Sequence, residues 1–215
     1  MVKLSKGLFI VFDGPEGAGK STQIQLLQAA FAANNKQVVV AVDPGGTCAG
    51  LKICEILKDQ NTLNLSPETE ALLFAASRAQ LINEIIQPAL TAGKVVICDR
   101  FVSASHAYQG SASGVGDENI SWLYDFISGG LWPDLFLIFS LDPEKGLRRK
   151  TEKDRIELRP LEFHQAVLLG FKQFAEAHQG SCQFIFAGTR AIDIHKQIIE
   201  DINSRFDLTL PAQNI

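Results

Sequence analysis

Short runs of apolar residues alternate along this chain with longer stretches in which apolar and polar residues are mixed. The runs are rich in valine, isoleucine and phenylalanine, and their apolar residues are consecutive. Consecutive apolar residues are typical of strands that are buried on both faces, as in a parallel sheet. The pattern predicts five strands, at residues 8–12, 37–42, 94–98, 134–141 and 182–187.

The sequence between these runs favours helices. The longest is predicted from Ser66-Pro67-Glu68 to about Leu90, because serine can cap a helix, proline suits its first turn and glutamate matches the helix dipole. Strands that alternate with helices predict an α/β fold with helices on both faces of a parallel sheet. The other predicted helices span residues 21–33, 117–128, ended by Gly129-Gly130, and 191–206.

Length and composition favour one globular domain. The chain has 215 residues, of which 46% are hydrophobic and 20% charged, so collagen-like, coiled-coil and wholly disordered proteins are excluded. No repeat, linker or break in composition divides it. We therefore predict a single domain over residues 1–206 and a loose tail over residues 207–215.

Charge, hydropathy and cysteine content narrow the partners and the location. The net charge of −4 argues against a general nucleic-acid-binding protein. No apolar stretch approaches the roughly 18 residues of a membrane span, and the run at residues 8–12 is too short for a signal peptide. The four cysteines form no C-x-x-C pair, and we expect buried or half-buried reduced thiols. A cytoplasmic protein without membrane or nucleic-acid partners is predicted.

A glycine-rich segment follows the first strand directly. It matches G-x-x-x-x-G-K-[ST], a loop whose backbone N–H groups and following helix N-terminus bind phosphate. In such a loop Lys20 reaches the β- and γ-phosphates and the Ser21 hydroxyl binds Mg²⁺. The sequence therefore predicts a nucleoside triphosphate site formed by Gly14, Pro15, Glu16, Gly17, Ala18, Gly19, Lys20, Ser21 and Thr22.

Other features select among the proteins that carry this loop. A GTPase switch would have an N-K-x-D motif, but the only Asn-Lys pair, Asn35-Lys36, is followed by Gln37-Val38. Asp43-Pro44-Gly45-Gly46 matches D-x-x-G, although two fixed positions carry little information. The chain is short for a motor ATPase. A small-molecule kinase remains, and it needs a second site for the phosphate acceptor.

Asp99-Arg100 is a candidate for that second site. It follows an apolar run and should lie at the carboxyl end of a central strand, where ligands of open α/β sheets bind. There Asp99 can hold Mg²⁺ or its waters, and Arg100 can clamp a phosphate with two parallel hydrogen bonds. A strand-end ion pair is the alternative interpretation.

A basic cluster occupies residues 148–159. It has six basic and three acidic residues, a net +3 within a chain of net −4. Mixed charge of this kind ordinarily marks a solvated helix face. In a kinase with a phosphate loop, the alternative is a lid whose arginines close over the phosphates, neutralise charge in the transition state and exclude water.

Several segments in order and spacing resemble the thymidylate kinases, over roughly residues 7–205. The resemblance implies a three-layer P-loop NTPase fold with a five-stranded parallel sheet. It also implies ATP- and Mg²⁺-dependent phosphorylation of dTMP to dTDP, for deoxythymidine triphosphate synthesis, by a homodimer. The matching segments are residues 9–22, 43–47, 73–78, 99–101, 108–110, 154–157 and 161–163. The last two of these resemble the lid and the helix after it in thymidylate kinases of the bacterial type.

The resemblance also implies roles for single residues. Phe74 would stack on thymine, Arg78 would hydrogen-bond the edge of the base, and Gln109 would approach it. Asp13 would meet the sugar 3′-hydroxyl and Arg100 the dTMP phosphate. The dTMP site would thus comprise Asp13, Phe74, Arg78, Arg100, Tyr108 and Gln109.

The catalytic group is implied in the same way. Glu16 stands where the eukaryotic type has an arginine, so Arg149, Arg155 or a neighbour in a lid at about residues 148–160 would supply the catalytic cation. Ser21 and Asp99 would hold the metal ion. The expected catalytic residues are Lys20, Asp99, Arg100, Arg149 and Arg155.

The chain departs from the family pattern at three places. Val42-Asp43 stand where Arg-Glu is common, Ser77 replaces an aspartate, and the lid is short between Arg149 and Asp154. The short lid blurs which arginine is catalytic. Two alternatives also stay open: another small phosphoryl-transfer enzyme, such as a deoxynucleoside kinase, or a nucleotide-binding protein without turnover. The presence of Lys20 and Ser21 weighs against the second.

Overall fold

The sheet is built from the five predicted apolar runs. The computed structural model describes residues 7–61, 64–149 and 151–212. Within them the strands are β1 (Leu8–Asp13), β2 (Val38–Val42), β3 (Val95–Asp99), β4 (Leu135–Ser140) and β5 (Cys182–Phe186). Each strand agrees with its prediction to within one residue at either end. The five strands form one sheet in the order β2-β3-β1-β4-β5, and every neighbouring pair is parallel.

Helices surround the sheet. The predicted helices at residues 21–33, 117–128 and 191–206 are confirmed as α1, α6 and α9. Two segments widen into π-helical turns, Ile82–Ile86 before α4 and His106–Ala112 after α5. The helices are α1 (Lys20–Ala33), α2 (Cys48–Lys58), α3 (Pro67–Leu81), α4 (Gln87–Thr91), α5 (Val102–Ser105), α6 (Asp117–Ser128), α7 (Pro143–Arg148), α8 (Leu161–Ala177) and α9 (Ala191–Phe206).

Successive side chains of a strand enter two different cores. Phe9 and Val11 of β1 pack in a cluster that also holds buried residues of α3 and α8, whereas Ile10 and Phe12 pack with residues of α1 and α9. Because both faces of the sheet are covered, both sets of side chains must be apolar. This explains the consecutive apolar runs and confirms the three layers.

The long helix predicted from Ser66 is interrupted. Ser66 caps it as predicted, since its Oγ accepts a hydrogen bond from the Thr69 backbone N–H at 3.2 Å. The π-helical turn then separates α3 from α4, just before Pro88. Proline has no N–H to donate and its ring collides with the carbonyl four residues earlier, so the helical ladder widens at this place.

The predictions of a loose tail over residues 207–215 and of four buried or half-buried cysteines are each wrong in part. Leu210 is buried in the core beside α9, and its backbone exchanges two hydrogen bonds with the Asn203 side chain, at 2.7 and 3.0 Å. The predicted loose tail is therefore packed as far as Leu210, and residues 213–215 lie outside the described chain. The four cysteines are free thiols, but Cys48 is exposed. Among the described residues no helix has the length and apolarity to cross a membrane.

The register of the sheet brings the candidate motifs together. Phe12 near the end of β1 pairs with Asp99 at the end of β3, and Asp99 pairs in turn with Val42 at the end of β2. Ligands of open parallel sheets bind at this carboxyl edge. The glycine-rich loop after β1, Asp99-Arg100 after β3 and Asp43-Pro44 after β2 therefore share one edge.

Candidate active site

A cavity of about 440 Å³ opens at this edge of the sheet. Residues 16–22 of the glycine-rich segment form one part of its wall. Residues of α3, β3 and the second π-helical turn form another, so most of the predicted site residues meet in one place. These are Phe74, Arg78, Asp99, Arg100, Tyr108 and Gln109.

The glycine-rich loop has the conformation that its sequence requires. Gly14 and Gly17 have φ values of 125° and 67°, in the region that favours glycine. A Cβ atom on either would overlap a backbone carbonyl oxygen, that of Phe139 or that of Gly146. These two glycines let the loop pack against Phe139 and Gly146. The N-terminus of α1, which follows the loop, lies at the cavity.

Lys20 folds back on this loop. Its side chain is only 7% exposed, and its ammonium group donates to the carbonyl oxygens of Gly14 at 3.1 Å and Pro15 at 2.9 Å. Burial and, to a smaller extent, the nearby positive charge of Arg100 lower the pKa of Lys20 to about 8. The protonated form of Lys20 is thus less favoured than that of an exposed lysine, at the loop where phosphates would bind.

Arg100 stands in a strained backbone conformation beside the loop. Its φ is 69°, which is uncommon for a residue with a side chain. Its guanidinium group donates to the Gly14 carbonyl at 2.9 Å and to the carboxylates of Asp13 and Glu16, and it lies over the Tyr108 ring at 5.5 Å. Residues in such strained conformations cluster at functional sites.

Asp13 is fully buried and does not line the cavity. Its carboxylate accepts hydrogen bonds from the Ser103 hydroxyl at 2.7 Å and from the backbone N–H groups of Phe101 and Ala104. Burial raises its pKa, and Arg100 opposes that rise. In this structure the Asp13 carboxylate therefore contacts Arg100 and the start of α5, and its contact with a sugar 3′-hydroxyl stays a prediction.

Phe74 and Arg78 lie one turn apart on the same face of α3, as predicted, and both line the cavity. Arg78 is only 3% exposed, and its Nε donates to Asp43 at 2.5 Å while Nη2 donates to the Phe101 carbonyl at 3.1 Å. Within the described part of the chain, Nη1 has no protein hydrogen bond. No local pattern along the chain indicates that Asp43, 35 positions away, fixes this guanidinium.

Asp43 is itself a buried group. Burial raises its pKa and the Arg78 guanidinium opposes that rise. Its second carboxylate oxygen is buried without a partner among the described residues. A buried charge of this kind is retained only with a close opposite charge, so Asp43 and Arg78 stabilise each other.

The two predicted lid arginines, Arg149 and Arg155, contact different parts of the protein. Arg149 follows α7 and donates from Nη1 to the Gly17 carbonyl at 2.7 Å, which places its cation at the glycine-rich loop. Arg155 donates instead to the Leu57 carbonyl at 2.9 Å and to the buried Glu70 carboxylate at 2.6 Å. Neither arginine lines the cavity, and of the two only Arg149 contacts the loop within the described chain.

The side chains of Ser21 and Asp99 provide oxygen atoms in the same cavity wall. The described residues contain no group of three His, Cys, Asp or Glu side chains that could hold a metal ion. Two oxygen donors nevertheless fit Mg²⁺, which is commonly bound by one or two protein groups together with waters and substrate phosphates.

Comparison with known proteins agrees with this geometry. Residues 12–198 match the family model for thymidylate kinase. A thymidylate kinase of Thermoanaerobacter sp. (strain X514) is 39% identical over 197 residues, which cover 91% of this chain and 97% of that protein. A thymidylate kinase of Finegoldia magna is 39% identical over 201 residues, covering 92% and 98%, and one of Deinococcus radiodurans is 41% identical over 177 residues, covering 81% and 85%. The family model spans most of the chain and the relatives cover more than two thirds of it, so the chain is a member of the thymidylate kinase family.

Proposed function

We propose that this protein transfers the γ-phosphoryl group of ATP to the phosphate of dTMP, which gives ADP and dTDP. The observation that carries the proposal is a single cavity whose wall contains both the phosphate-binding loop and the Phe74–Arg78 pair of α3. A kinase must bind donor and acceptor side by side, and this cavity offers chemistry suited to each. Membership of the thymidylate kinase family supports the choice of acceptor.

The donor half consists of the loop from Gly14 to Thr22. Its backbone N–H groups bind the phosphates, and Lys20 leaves the Gly14 and Pro15 carbonyls to meet the γ-phosphate. Arg149 already contacts the loop at Gly17, so it is the lid arginine that supplies a further positive charge. Charge held in this way stabilises the transferring group, because most of the catalysis of phosphoryl transfer is positioning and electrostatics.

The acceptor half consists of side chains from α3 and the segment after β3. Phe74 covers the face of the thymine ring, and the Nη1 group of Arg78 donates to a carbonyl oxygen at its edge. Gln109 and Tyr108 complete the wall beside the base, while Arg100 binds the dTMP phosphate. Asp13 acts behind them by holding Arg100 through a contact of 3.3 Å.

Ser21 and Asp99 would hold Mg²⁺, which would neutralise part of the phosphate charge. The acceptor needs no general base, since a phosphate monoester has a second pKa of about 6 and is mostly dianionic at neutral pH. The residues of this chain therefore have to bind, align and shield the two phosphates, and not to remove a proton.

A panel of acceptors tests the proposed activity. ADP release is measured with dTMP, dUMP, UMP, CMP, AMP, GMP and thymidine under the same conditions. We expect dTMP to give the highest kcat/KM. A preference for thymidine would indicate a deoxynucleoside kinase, a preference for another monophosphate would indicate a different kinase, and no release with any acceptor would indicate a binding protein without turnover.

Arg78→Ala is expected to reduce the preference for dUMP over dCMP sharply while the affinity for ATP barely changes. Uracil and thymine present an acceptor at position 4, whereas cytosine presents an amino group that cannot pair with the Arg78 donor. Loss of such a pair costs more than loss of the thymine methyl group, which we expect to make dUMP poorer than dTMP by about 1–3 kcal/mol. The ratio of kcat/KM for dUMP to that for dCMP is the measurement, and an unchanged ratio in the variant would contradict the role of Arg78.

Binding of ATP is expected to weaken as the pH rises through about 8, because burial lowers the pKa of Lys20 in the free protein to about 8. Below that pH the ammonium group is present before ATP binds; above it, binding must include uptake of a proton, and the affinity falls by up to about tenfold per pH unit. Calorimetry at pH 7, 8 and 9, in two buffers of different ionisation enthalpy, measures both the affinity and the proton uptake. Lys20→Ala should show neither effect, and an equal affinity at all three values in the unchanged protein would refute the assignment.

The proposal includes a homodimer formed through α6. Trp122 and Phe126 are 65% and 77% exposed, and their rings stack with centroids 5.9 Å apart on one face of that helix. Exposed aromatic pairs of this size are typical of protein interfaces. Sedimentation should give twice the chain mass of 23.5 kDa, and a change of both residues to serine should give the monomer.

We also assign the protein to the cytoplasm, because free thiols such as exposed Cys48 are typical of a reducing compartment.

A further inference from the structure

Glu70 is a buried carboxylate that none of the roles above uses. It lies in the first turns of α3, its exposed fraction is 1%, and Phe74 and Arg78 follow it one and two turns later on the same helix face. A carboxylate so deeply buried is retained only when hydrogen-bond donors and positive charge compensate it. The identity of its partners therefore indicates what it does.

Three donors from two other segments meet at Glu70. The Gln109 side-chain amide donates to Oε1 at 2.8 Å, while the guanidinium groups of Arg155 and Arg159 donate to Oε2 at 2.6 and 2.5 Å. Gln109 belongs to the π-helical turn after α5 and lines the cavity. The two arginines flank Ile156 and Glu157, which line it as well.

Each arginine is also fixed at its other side. Arg155 donates from Nε to the carbonyl of Leu57 at the end of α2. Arg159 donates to the Ser113 hydroxyl at 3.1 Å, and its guanidinium group lies 4.4 Å from the centre of the Phe163 ring. Glu70 is thus the junction at which α3 joins the π-helical turn and residues 154–159, all of which contribute to the cavity.

We infer that Glu70 is a positioning residue for the acceptor site. It holds the Gln109 amide, and through Arg155 and Arg159 it holds the wall at residues 154–157, in the places that shape the cavity beside the Phe74 ring. Arg155 accordingly acts in this junction, apart from the phosphate loop. The inference rests on the proposed function, because it assigns Glu70 to binding of the nucleoside monophosphate.

Glu70→Gln tests this role, since glutamine keeps the volume of the side chain and removes its charge. Loss of charge-assisted hydrogen bonds should raise the KM for dTMP about 10- to 100-fold and leave the KM for ATP within about twofold. Glu68→Gln is the matched control, because Glu68 lies in the same helical turn and is exposed; it should change neither constant. A purely structural role would instead lower kcat through a smaller folded fraction and leave both KM values unchanged.

A double-mutant cycle gives the second measurement. Because Gln109 acts through the contact with Glu70, Gln109→Leu alone should raise the KM for dTMP. In a protein that already carries Glu70→Gln, adding Gln109→Leu should change that KM by less than about twofold. If Glu70→Gln does not fold, the cycle is measured between Gln109→Leu and Arg155→Lys, two residues joined through Glu70. Their effects should then depart from a simple product by more than about threefold.

The outcomes separate the two proposals. If the unchanged protein does not phosphorylate dTMP, the proposed function fails before any variant is measured. If it does, then a KM for dTMP in Glu70→Gln that equals the Glu68→Gln value, or effects that multiply independently in the cycle, would overturn the positioning role of Glu70 alone.

Discussion

Replacing Lys20 with alanine is expected to lower kcat about 10²- to 10³-fold, with a much smaller rise in the KM for dTMP. The ammonium group is nearly buried within the phosphate loop, where it contacts the carbonyl oxygens of Gly14 and Pro15. A charge that follows the migrating phosphoryl group is bound more tightly in the transition state than in the ground state, and such an interaction appears in kcat. Steady-state kinetics with ATP and dTMP varied separately give the two constants.

Two further variants control this experiment. Lys20→Arg keeps the charge but replaces a compact ammonium with a planar group that does not fit the same place, so it should recover little activity. Lys196→Ala removes an exposed lysine of α9 and should leave the kinetics unchanged. A Lys20→Ala protein in which only the KM for ATP changed would show that Lys20 contributes to binding alone.

Arg100→Ala is expected to impair both binding of dTMP and turnover, and to lower kcat/KM for dTMP by about 10²-fold or more. Two charge-assisted hydrogen bonds to the acceptor phosphate are lost, which together contribute about 3 kcal/mol. The strained backbone at φ 69° and the contact with buried Asp13 show that the fold holds this guanidinium group in one place. The measurement is kcat and the KM for dTMP in the variant and the unchanged protein, with the KM for ATP as the comparison.

The controls for Arg100 follow from its geometry. Arg100→Lys retains a positive charge without the planar fork, so its kcat/KM should lie between those of the alanine variant and the unchanged protein. Arg205→Ala, which removes the partly exposed ion pair with Asp201 on α9, should have no effect. If Arg100→Ala and Lys20→Ala both altered only the KM for ATP, the division of the cavity into donor and acceptor halves would be wrong.

The outcome for the lid shows where sequence reasoning reached its limit. A net charge of +3 over residues 148–159 identified a basic cluster, and the resemblance implied that Arg149 or Arg155 would act on the phosphates. In the structure Arg149 contacts Gly17, whereas Arg155 contacts Glu70, 85 positions away. Neighbouring arginines have the same sequence signal, and only the path of the backbone decides which partner each one reaches.

Asp13 illustrates a second limit. The resemblance implied that Asp13 meets the sugar 3′-hydroxyl, which stays a prediction, whereas its full burial and its hydrogen bonds to the start of α5 were not predicted. No pattern near Asp13 predicts that α5 begins against it, because Ser103 lies 90 positions later. Burial of a polar group depends on which segments cover it, and that is a property of the packed fold.

The sequence alone determined the five strands, most of the principal helices and the phosphate loop. Those signals are local: consecutive apolar residues specify a strand covered on both faces, and glycines at fixed spacing permit the backbone to turn around an anion. The tertiary structure alone decided the pairing of Arg78 with Asp43 and the convergence of Gln109, Arg155 and Arg159 on Glu70. These contacts join residues 35 to 89 positions apart, and a hydrogen bond or ion pair forms only within a few ångströms, so its partner is fixed when the elements pack and not before.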